Sequence, residues 1–203
     1  KAVICGPKLL PRVALCDPEL TLGLPTHITA ATGMDALTHN IEAYLSTAYH
    51  PICDAVALGG IRLAGENLEA AVKEGGNIEA RSNMMLASSM GAIAFQKDLG
   101  AAHSMAHPLS TVAGVPHGLA NAIVLVHVMA FNKPSATKRL VDIAQAMGCL
   151  IDGRSADDCA NAAIEAVQTL TERIDIPKSL SAVGVRESQI PALVKQALND
   201  PNH

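Results

Sequence analysis

The spacing of apolar residues predicts a chain that is helical from about residue 26 onward. Apolar side chains recur at helical intervals in four segments: Ile28–Thr47, Pro51–Lys73, Ile78–Lys97 and Glu187–Leu198. Gly75-Gly76 ends the second of these predicted helices. The segment Gly118–Phe131 is almost wholly apolar, which is typical of a helix buried at the centre of a fold.

Residues with helix-capping preferences mark several of the predicted helix ends. Thr26, after Leu24-Pro25, is a candidate N-cap for the first helix. Ser155 and Asp158 have the spacing of a capping box at the start of a helix over Ser155–Arg173. A further helix is predicted over Ser135–Met147. These patterns predict a mainly α fold.

The first residues differ from the rest of the chain. Lys1–Cys5 and Arg12–Cys16 are short β-prone segments, separated by prolines. Strands of this length are not stable alone, so we expect them to pair with a sheet outside this chain. The chain opens on lysine and stops at Asn202-His203, and we therefore expect it to be a fragment of a longer polypeptide.

Composition narrows the class of protein. Apolar residues make up 49% of the 203 residues and charged residues 17%, which argues against disorder. The mean hydropathy of +0.26 indicates that a partner chain or a missing domain covers part of the apolar surface, so we expect a homo-oligomer. The net charge of -4, without a basic cluster or a tryptophan, argues against a nucleic-acid partner.

Cysteine usage and hydropathy bear on the compartment. The five cysteines are scattered and form no Cys-x-x-Cys pair, which excludes the thiolate zinc and redox motifs. A reducing, cytoplasmic compartment is the simplest interpretation. The longest apolar run, Ala122–Phe131, is too short to cross a bilayer, so no membrane span is expected.

Three of the eight histidines lie close together in the sequence. His103 and His107 are four residues apart and share one face of a predicted short helix, Gly100–His107. Pro108 is expected to end that helix. The loop that follows is expected to turn the chain back and present His117 to the same point.

A second pair, Asp35 and His39, repeats the four-residue spacing. Two such helical pairs suit a mononuclear metal site between helices, although spacing alone does not decide which three or four of the five side chains are ligands. One carboxylate and three neutral imidazoles suit Fe(II), Zn(II), Mn(II) or Ni(II), and leave the ion a strong Lewis acid. The isolated His127 is instead predicted to be a core residue.

At these residues the chain closely resembles the iron-containing (group III) alcohol dehydrogenases. The matching segments are Asp17-Pro18-Glu19-Leu20-Thr21, Ala30–His39, Ile41-Glu42-Ala43-Tyr44, Gly100–His103, Ala106-His107-Pro108-Leu109, Gly114–Gly118 and His127-Val128-Met129. They cover most of residues 1–131 in the family's order. Beyond about residue 140 the likeness is general helical character.

The resemblance implies a two-domain enzyme, with a Rossmann-like nucleotide-binding domain before an all-helical, dehydroquinate synthase-like metal-binding domain. Residues 1–24 would be residual strands and linker of the first domain, and residues 25–203 would be the second. The family's metal ligands correspond to Asp35, His39, His103 and His117. His107 corresponds to a catalytic histidine near the nicotinamide. Lys1 and Leu20 fall where the family contacts the cofactor.

The function implied is reversible, NAD- or NADP-linked oxidation of a small primary alcohol to an aldehyde, with Fe(II) or another divalent metal such as Zn(II). A zinc-dependent polyol or glycerol-type dehydrogenase is an alternative, but the Asp35/His39 pair favours the alcohol dehydrogenase branch. A non-catalytic helical metal-binding module is the other alternative. The family's glycine-rich pyrophosphate loop is absent from these 203 residues, so the segment alone is expected to bind metal and turn over little.

Overall fold

A computed structural model describes residues 6–200, which are helical and contain no strand. The α-helices are α1 (Thr26–Leu45), α2 (Pro51–Lys73), α3 (Ile78–Ala94), α4 (Ala101–Val112), α5 (His117–Ala146), α6 (Ala156–Arg173) and α7 (Ile190–Ala197). Short 3₁₀ segments cover Pro7–Leu9, Pro18–Thr21, Phe95–Lys97, Ser181–Val183 and Glu187–Gln189. The predicted all-helical fold is confirmed.

Helix α1 lies at the centre and packs against α2, α3 and α5. Its apolar side chains Met34, Leu37 and Ile41 are fully buried. Helix α4 lies between α5 and α7, and α6 packs on α5. Burial of this apolar surface is the main force holding the helices together, and it fixes where α1, α4 and the start of α5 meet.

A partly buried ionic cluster lies at the C-terminal end of α1. Lys97, whose side chain is fully buried, donates to the backbone carbonyl of Tyr44 (3.2 Å) and to Oδ1 of Asp54 (2.7 Å). Arg139 donates to the same carbonyl (2.6 Å) and to Oδ2 of Asp54 (3.2 Å). The two cations interact favourably with the negative, C-terminal end of the α1 helix dipole. Asp54 joins them to α2.

Several helix boundaries agree with the sequence prediction. Helix α2 covers Pro51–Lys73, as predicted. The hydroxyl of Ser155 accepts from the backbone N–H of Asp158 and donates to its carboxylate, which caps α6. The predicted third helix ends as an α-helix at Ala94 and continues as one 3₁₀ turn to Lys97.

The pairing predicted for the first segments stays a prediction, because the partner sheet would lie outside this chain. Within residues 6–200, Arg12–Cys16 form no strand and are exposed. Lys1–Cys5 lie outside the described residues. Thr26 is not the N-cap of α1; Pro25 holds that position and makes no side-chain cap.

The predicted stop at Pro108 is also wrong. Helix α4 runs through Pro108 to Val112. The missing N–H of Pro108 costs one helical hydrogen bond. Continuing the helix buries Leu109 and packs Val112 against the core, which offsets that loss.

Two further predictions concern α5. The two helices predicted over Gly118–Phe131 and Ser135–Met147 form one run, with a kink of non-helical backbone at Ala136, two residues after Pro134. The predicted core residue His127 is exposed, because the buried face of α5 is formed by residues 120–125 and by Val128 and Met129. Among the described helices, we find none with the length and apolar character needed to cross a membrane.

Candidate metal centre

Helix α1 supplies the first two side chains of the site. Asp35 and His39 are one turn apart, and Nδ1 of His39 lies 2.8 Å from the backbone carbonyl oxygen of Asp35. Because a carbonyl oxygen only accepts, Nδ1 is the protonated nitrogen and Nε2 carries the lone pair. Burial and the neighbouring His103 lower the pKa of His39, and they outweigh the opposing effect of Asp35. The neutral, metal-binding form of His39 is thereby favoured.

Helix α4 brings His103 to the same point. His103 is 1% exposed, and its ring centroid lies 4.4 Å from that of His39. Its Nε2 lies 3.8 Å from Oδ1 of Asp35 and makes no hydrogen bond. One ligand atom from each of Asp35, His39 and His103 lies within 4.8 Å of the other two. The structure therefore brings together three potential ligands that are distant in sequence.

The first residue of α5 adds the fourth side chain. The loop after α4 turns through Gly114, whose φ of +73° lies in the left-handed region, and reaches Pro116 and His117. Nε2 of His117 lies 3.6 Å from Oδ1 of Asp35, and its ring centroid lies 5.4 Å from that of His103. The predicted loop that returns His117 to the cluster is present.

Gly118 sets how closely α5 approaches α1. A Cβ atom placed on Gly118 would lie 2.4 Å from the carbonyl oxygen of Ala31 and 3.3 Å from Cβ of Asp35. Backbone atoms are on the other side of this contact, so only a shift of one helix would relieve it. The absence of a side chain at residue 118 therefore permits the distance between Asp35 and His117.

Asn121 joins the two helices at the site. This fully buried residue donates from Nδ2 to Oδ1 of Asp35 at 2.6 Å, and the same nitrogen lies 3.2 Å from Nε2 of His117. The amide thus holds Oδ1 of Asp35, the carboxylate oxygen that lies near Nε2 of His103 and of His117. Asn121 therefore restricts the rotation of the Asp35 carboxylate.

His107 lies beside the cluster rather than within it. Its ring stacks on that of His117 with centroids 5.4 Å apart, and lies 6.3 Å from that of His103. Its side chain is 40% exposed, and Nδ1 lies 2.6 Å from a carboxylate oxygen of Asp200. His107 is thus the histidine of the group most open to a bound molecule.

Leu20, another candidate cofactor contact, is not part of this cluster. Leu20 lies in the 3₁₀ segment Pro18–Thr21 and is 81% exposed. Lys1 lies outside the described residues. The proposed contacts of both with a dinucleotide stay predictions.

The residues present fit a divalent metal. Asp35, His39, His103 and His117 offer one carboxylate oxygen and three imidazole nitrogens, a set that binds Fe(II) or Zn(II). Nε2 of His103 is buried, has no hydrogen bond and faces the Asp35 carboxylate. A buried polar atom of this kind normally has a partner, and a metal ion would provide one.

A large apolar groove lies away from the histidine cluster. This groove of about 920 Å³ runs between α4, α5 and α7, with mostly apolar walls. None of the six predicted site residues within 6–200 lines it. It is therefore not the space in which chemistry at the histidine cluster would occur.

The sequence analysis assigned no role to three residues that the structure places at the site: Glu42, Asn121 and Asp200. Glu42 contacts His103, Asn121 contacts Asp35, and Asp200 contacts His107. Helical spacing signals the first two, because Glu42 is three residues after His39 and Asn121 is four after His117. Asp200 lies 93 residues from His107 and has no such signal.

Comparison with known proteins gives a family match and close relatives. Residues 29–203 match the model of the Fe-containing alcohol dehydrogenase family, C-terminal. The 1,3-propanediol dehydrogenase of Citrobacter freundii is 45% identical over 203 residues, which are 100% of this chain and 52% of that protein. The chain thus spans about half the length of the curated relatives it matches.

Solved structures give the same likeness. A crystal structure of a 1,3-propanediol oxidoreductase aligns with a TM-score of 0.90 and 44% identity, and covers 92% of this chain and 49% of that one. The structure of sulfoacetaldehyde reductase from Bifidobacterium kashiwanohense in complex with NAD+ aligns with a TM-score of 0.80 and 34% identity. It covers 92% of this chain and 47% of that one.

Proposed function

The chain belongs to the Fe-containing alcohol dehydrogenase family, and from this we propose that it is the metal-binding helical domain of an NAD(P)-linked enzyme that interconverts a small primary alcohol and its aldehyde. The observation that carries the proposal is the meeting of Asp35 and His39 from α1 with His103 from α4 and His117 from α5. All four are assigned as ligands of one divalent ion.

The native ion is proposed to be Fe(II). Membership of the Fe-containing family supports iron as the native metal, and a donor set of one carboxylate and three imidazoles suits Fe(II). Affinity alone would favour Zn(II) over Fe(II), so the metal found in the protein depends on which metal the cell supplies. When bound, the ion would lower the pKa of the alcohol hydroxyl and stabilise negative charge on the alcohol oxygen, which favours departure of hydride from the adjacent carbon.

The protein's own side chains hold and orient the reactants. The three imidazoles and the carboxylate fix one point at which the alcohol oxygen can be held. His107 lies beside that point, stacked on His117, and Asp200 at Nδ1 leaves its Nε2 available to a bound molecule. We assign His107 as the catalytic residue that takes up the hydroxyl proton or contacts the nicotinamide.

The dinucleotide is proposed to bind mainly to a second, N-terminal domain. Residues 1–24 would be its residual strands and linker, and residues 25–203 the metal-binding domain. The length of the relatives supports this division, because the chain covers only 52% of the 1,3-propanediol dehydrogenase it matches. Lys1 and Leu20 would contact NAD or NADP at the junction. The relative solved with NAD+ supports a nicotinamide cofactor.

The remaining proposals concern the assembly and its environment. We assign a cytoplasmic enzyme, because the four described cysteines are unpaired thiols. Exposed apolar side chains such as Leu10, Val13 and Leu15, each at least 76% exposed, support a covered surface in the whole protein. A homo-oligomer, together with the missing domain, would cover this surface.

Metal content after purification tests the proposal. The chain is expressed with supplied Fe(II) or Zn(II), and bound metal is measured by mass spectrometry for the wild type and for His103→Ala, His117→Ala and His107→Ala. One ion per chain is expected in the wild type and in His107→Ala, and none in the other two variants. Equal loss of metal in all three would contradict the assigned roles.

A further inference from the structure

Glu42 is a carboxylate buried in the core without a cationic side chain among its hydrogen-bond partners. It is 3% exposed and lies on α1. Burial of a charged group is costly unless hydrogen bonds compensate for the lost water. The partners that provide this compensation are backbone N–H groups and one imidazole, all at the start of α4.

The carboxylate of Glu42 caps α4 from a neighbouring helix. Oε1 accepts from the backbone N–H of Ala102 at 2.7 Å. Oε2 accepts from the backbone N–H groups of Gly100 (3.2 Å) and His103 (3.1 Å). These donors have no partner within α4, and the positive end of the helix dipole favours a carboxylate there.

The same oxygen reaches the imidazole of His103. Nδ1 lies 2.8 Å from Oε2 of Glu42, and both side chains are 2% exposed. The three backbone groups can only donate, so Glu42 acts as the acceptor throughout this cluster. Nδ1 of His103 must therefore carry a proton and donate it to Glu42.

A proton on Nδ1 leaves the lone pair of a neutral imidazole on Nε2. Nε2 is the buried nitrogen that makes no hydrogen bond and lies 3.8 Å from Oδ1 of Asp35. We propose that Glu42 is a positioning residue that holds His103 in the Nδ1-protonated tautomer and aims its Nε2 at the metal. This inference rests on the proposed metal centre and adds a residue that supports one of its ligands.

The position of Gly100 supports the same arrangement. A Cβ atom on Gly100 would lie 2.8 Å from Oε1 of Glu42 and 3.3 Å from its Cδ. A side chain on the N-cap residue Gly100 would therefore collide with the carboxylate of Glu42, and the glycine permits this close contact.

Glu42→Gln tests the proposal because it keeps the size and removes one acceptor. If the amide NH₂ faces Nδ1 of His103, it donates, and the ring must carry its proton on Nε2, where it opposes metal binding. If the NH₂ faces Ala102, a backbone donor loses its acceptor. Loss of a carboxylate that hydrogen-bonds to a metal ligand typically lowers the metal affinity about 10–100-fold.

The matched control is Glu66→Gln, which makes the same change at an exposed carboxylate of α2. Zn(II) affinity is measured by competition with a chromophoric chelator. We expect Glu42→Gln to bind Zn(II) at least tenfold more weakly than the wild type, and Glu66→Gln to be unchanged. Gly100→Ala keeps every charge but displaces Oε1, and is expected to weaken Zn(II) binding in the same direction.

The tautomer itself is read from the ¹⁵N shifts of the His103 ring in the metal-free wild-type chain, which does not depend on any variant folding. A proton on Nδ1 supports the proposal, and a proton on Nε2 overturns it. Equal Zn(II) affinity of Glu42→Gln and Glu66→Gln also overturns it. If the wild type binds no divalent metal, the proposed function fails, while the ring shifts still decide the role of Glu42.

Discussion

The side-chain amide of Asn121 donates to Oδ1 of Asp35 at 2.6 Å, and so links the first turns of α5 to the middle of α1. The same nitrogen lies 3.2 Å from Nε2 of His117. One buried amide thus touches two of the proposed ligands, and it holds Oδ1 of Asp35, the oxygen that lies near the histidines.

Replacement of Asn121 by leucine is expected to weaken metal binding without unfolding the protein. Leucine keeps the volume but removes the donor, so the Asp35 carboxylate gains rotational freedom. Residues that hydrogen-bond to metal ligands typically contribute at least tenfold to the metal affinity, so we expect about tenfold weaker Zn(II) binding. Chelator competition measures the change. Asn67→Leu, on α2 and away from the site, is the control. Equal effects of the two substitutions would show that the contact with Asp35 is unimportant.

Gly118→Ala is expected to destabilise the fold. The added methyl would lie 2.4 Å from the carbonyl oxygen of Ala31, so α5 must move away from α1. Overpacking of this kind costs about 1–3 kcal/mol in the free energy of unfolding. Urea unfolding followed by circular dichroism measures it. Gly76→Ala is the control, since no atom lies within 4 Å of its added Cβ. A Gly118→Ala protein as stable as the wild type would contradict the close approach.

The cluster of Asp54, Lys97 and Arg139 makes stability depend on pH in the acid range. Burial raises the pKa of Asp54, but the hydrogen bonds from Lys97 and Arg139, together with the charges of these two residues, lower it by more. The ionised carboxylate therefore contributes fully above the unfolded-state pKa of about 3.9. This contribution is lost as the pH falls below that value and through the lower pKa of the folded state.

Asp54→Asn tests this contribution. At pH 7 it leaves the buried Lys97 without its anionic partner, and we expect a loss of up to about 3 kcal/mol in the free energy of unfolding. The difference from the wild type should shrink as the pH falls below about 4. Urea unfolding at a series of pH values measures it, with the exposed Asp152→Asn as control. A difference independent of pH would be evidence against the ionic role of Asp54.

His107→Ala separates metal binding from turnover. The ring lies beside the ligand cluster, so its loss is expected to leave the metal content unchanged. In the complete enzyme, alcohol oxidation should fall by about 10²-fold or more, the effect typical of losing a general acid–base group. Steady-state rates and metal analysis of the same samples provide the measurement.

The 203-residue chain alone is expected to oxidise alcohols little, and rapid turnover by it would contradict the two-domain proposal.

The helices and the one-turn spacing within each side-chain pair were predictable from the sequence, because both depend on local spacing. Asp35/His39 and His103/His107 are each one helical turn apart, and the structure brings both pairs together. The sequence did not show that Pro108 lies within α4 or that His127 is exposed. Both depend on which face of a helix the neighbouring elements cover, and local spacing does not report that.

The side chains that support the site were harder to predict than those that form it. Glu42 carries no chemistry of its own at the cluster; its role depends on the start of α4, some 60 residues away in sequence. Asp200 reaches His107 only because α7 packs against α4. Long-range packing of this kind has no signature in one sequence.

Asp35, His39 and Glu42 occupy one face of a single continuous helix. The site therefore depends on the helical phase, the angular position of each residue around the axis of that helix. Each residue added to an α-helix turns everything beyond it by about 100°. One residue inserted between positions 39 and 42 would leave the carboxylate–imidazole pair in phase and rotate Glu42 away from α4. Insertions and deletions in this chain are therefore expected to be tolerated only in the loops, while the segment from 35 to 42 must keep a fixed number of residues.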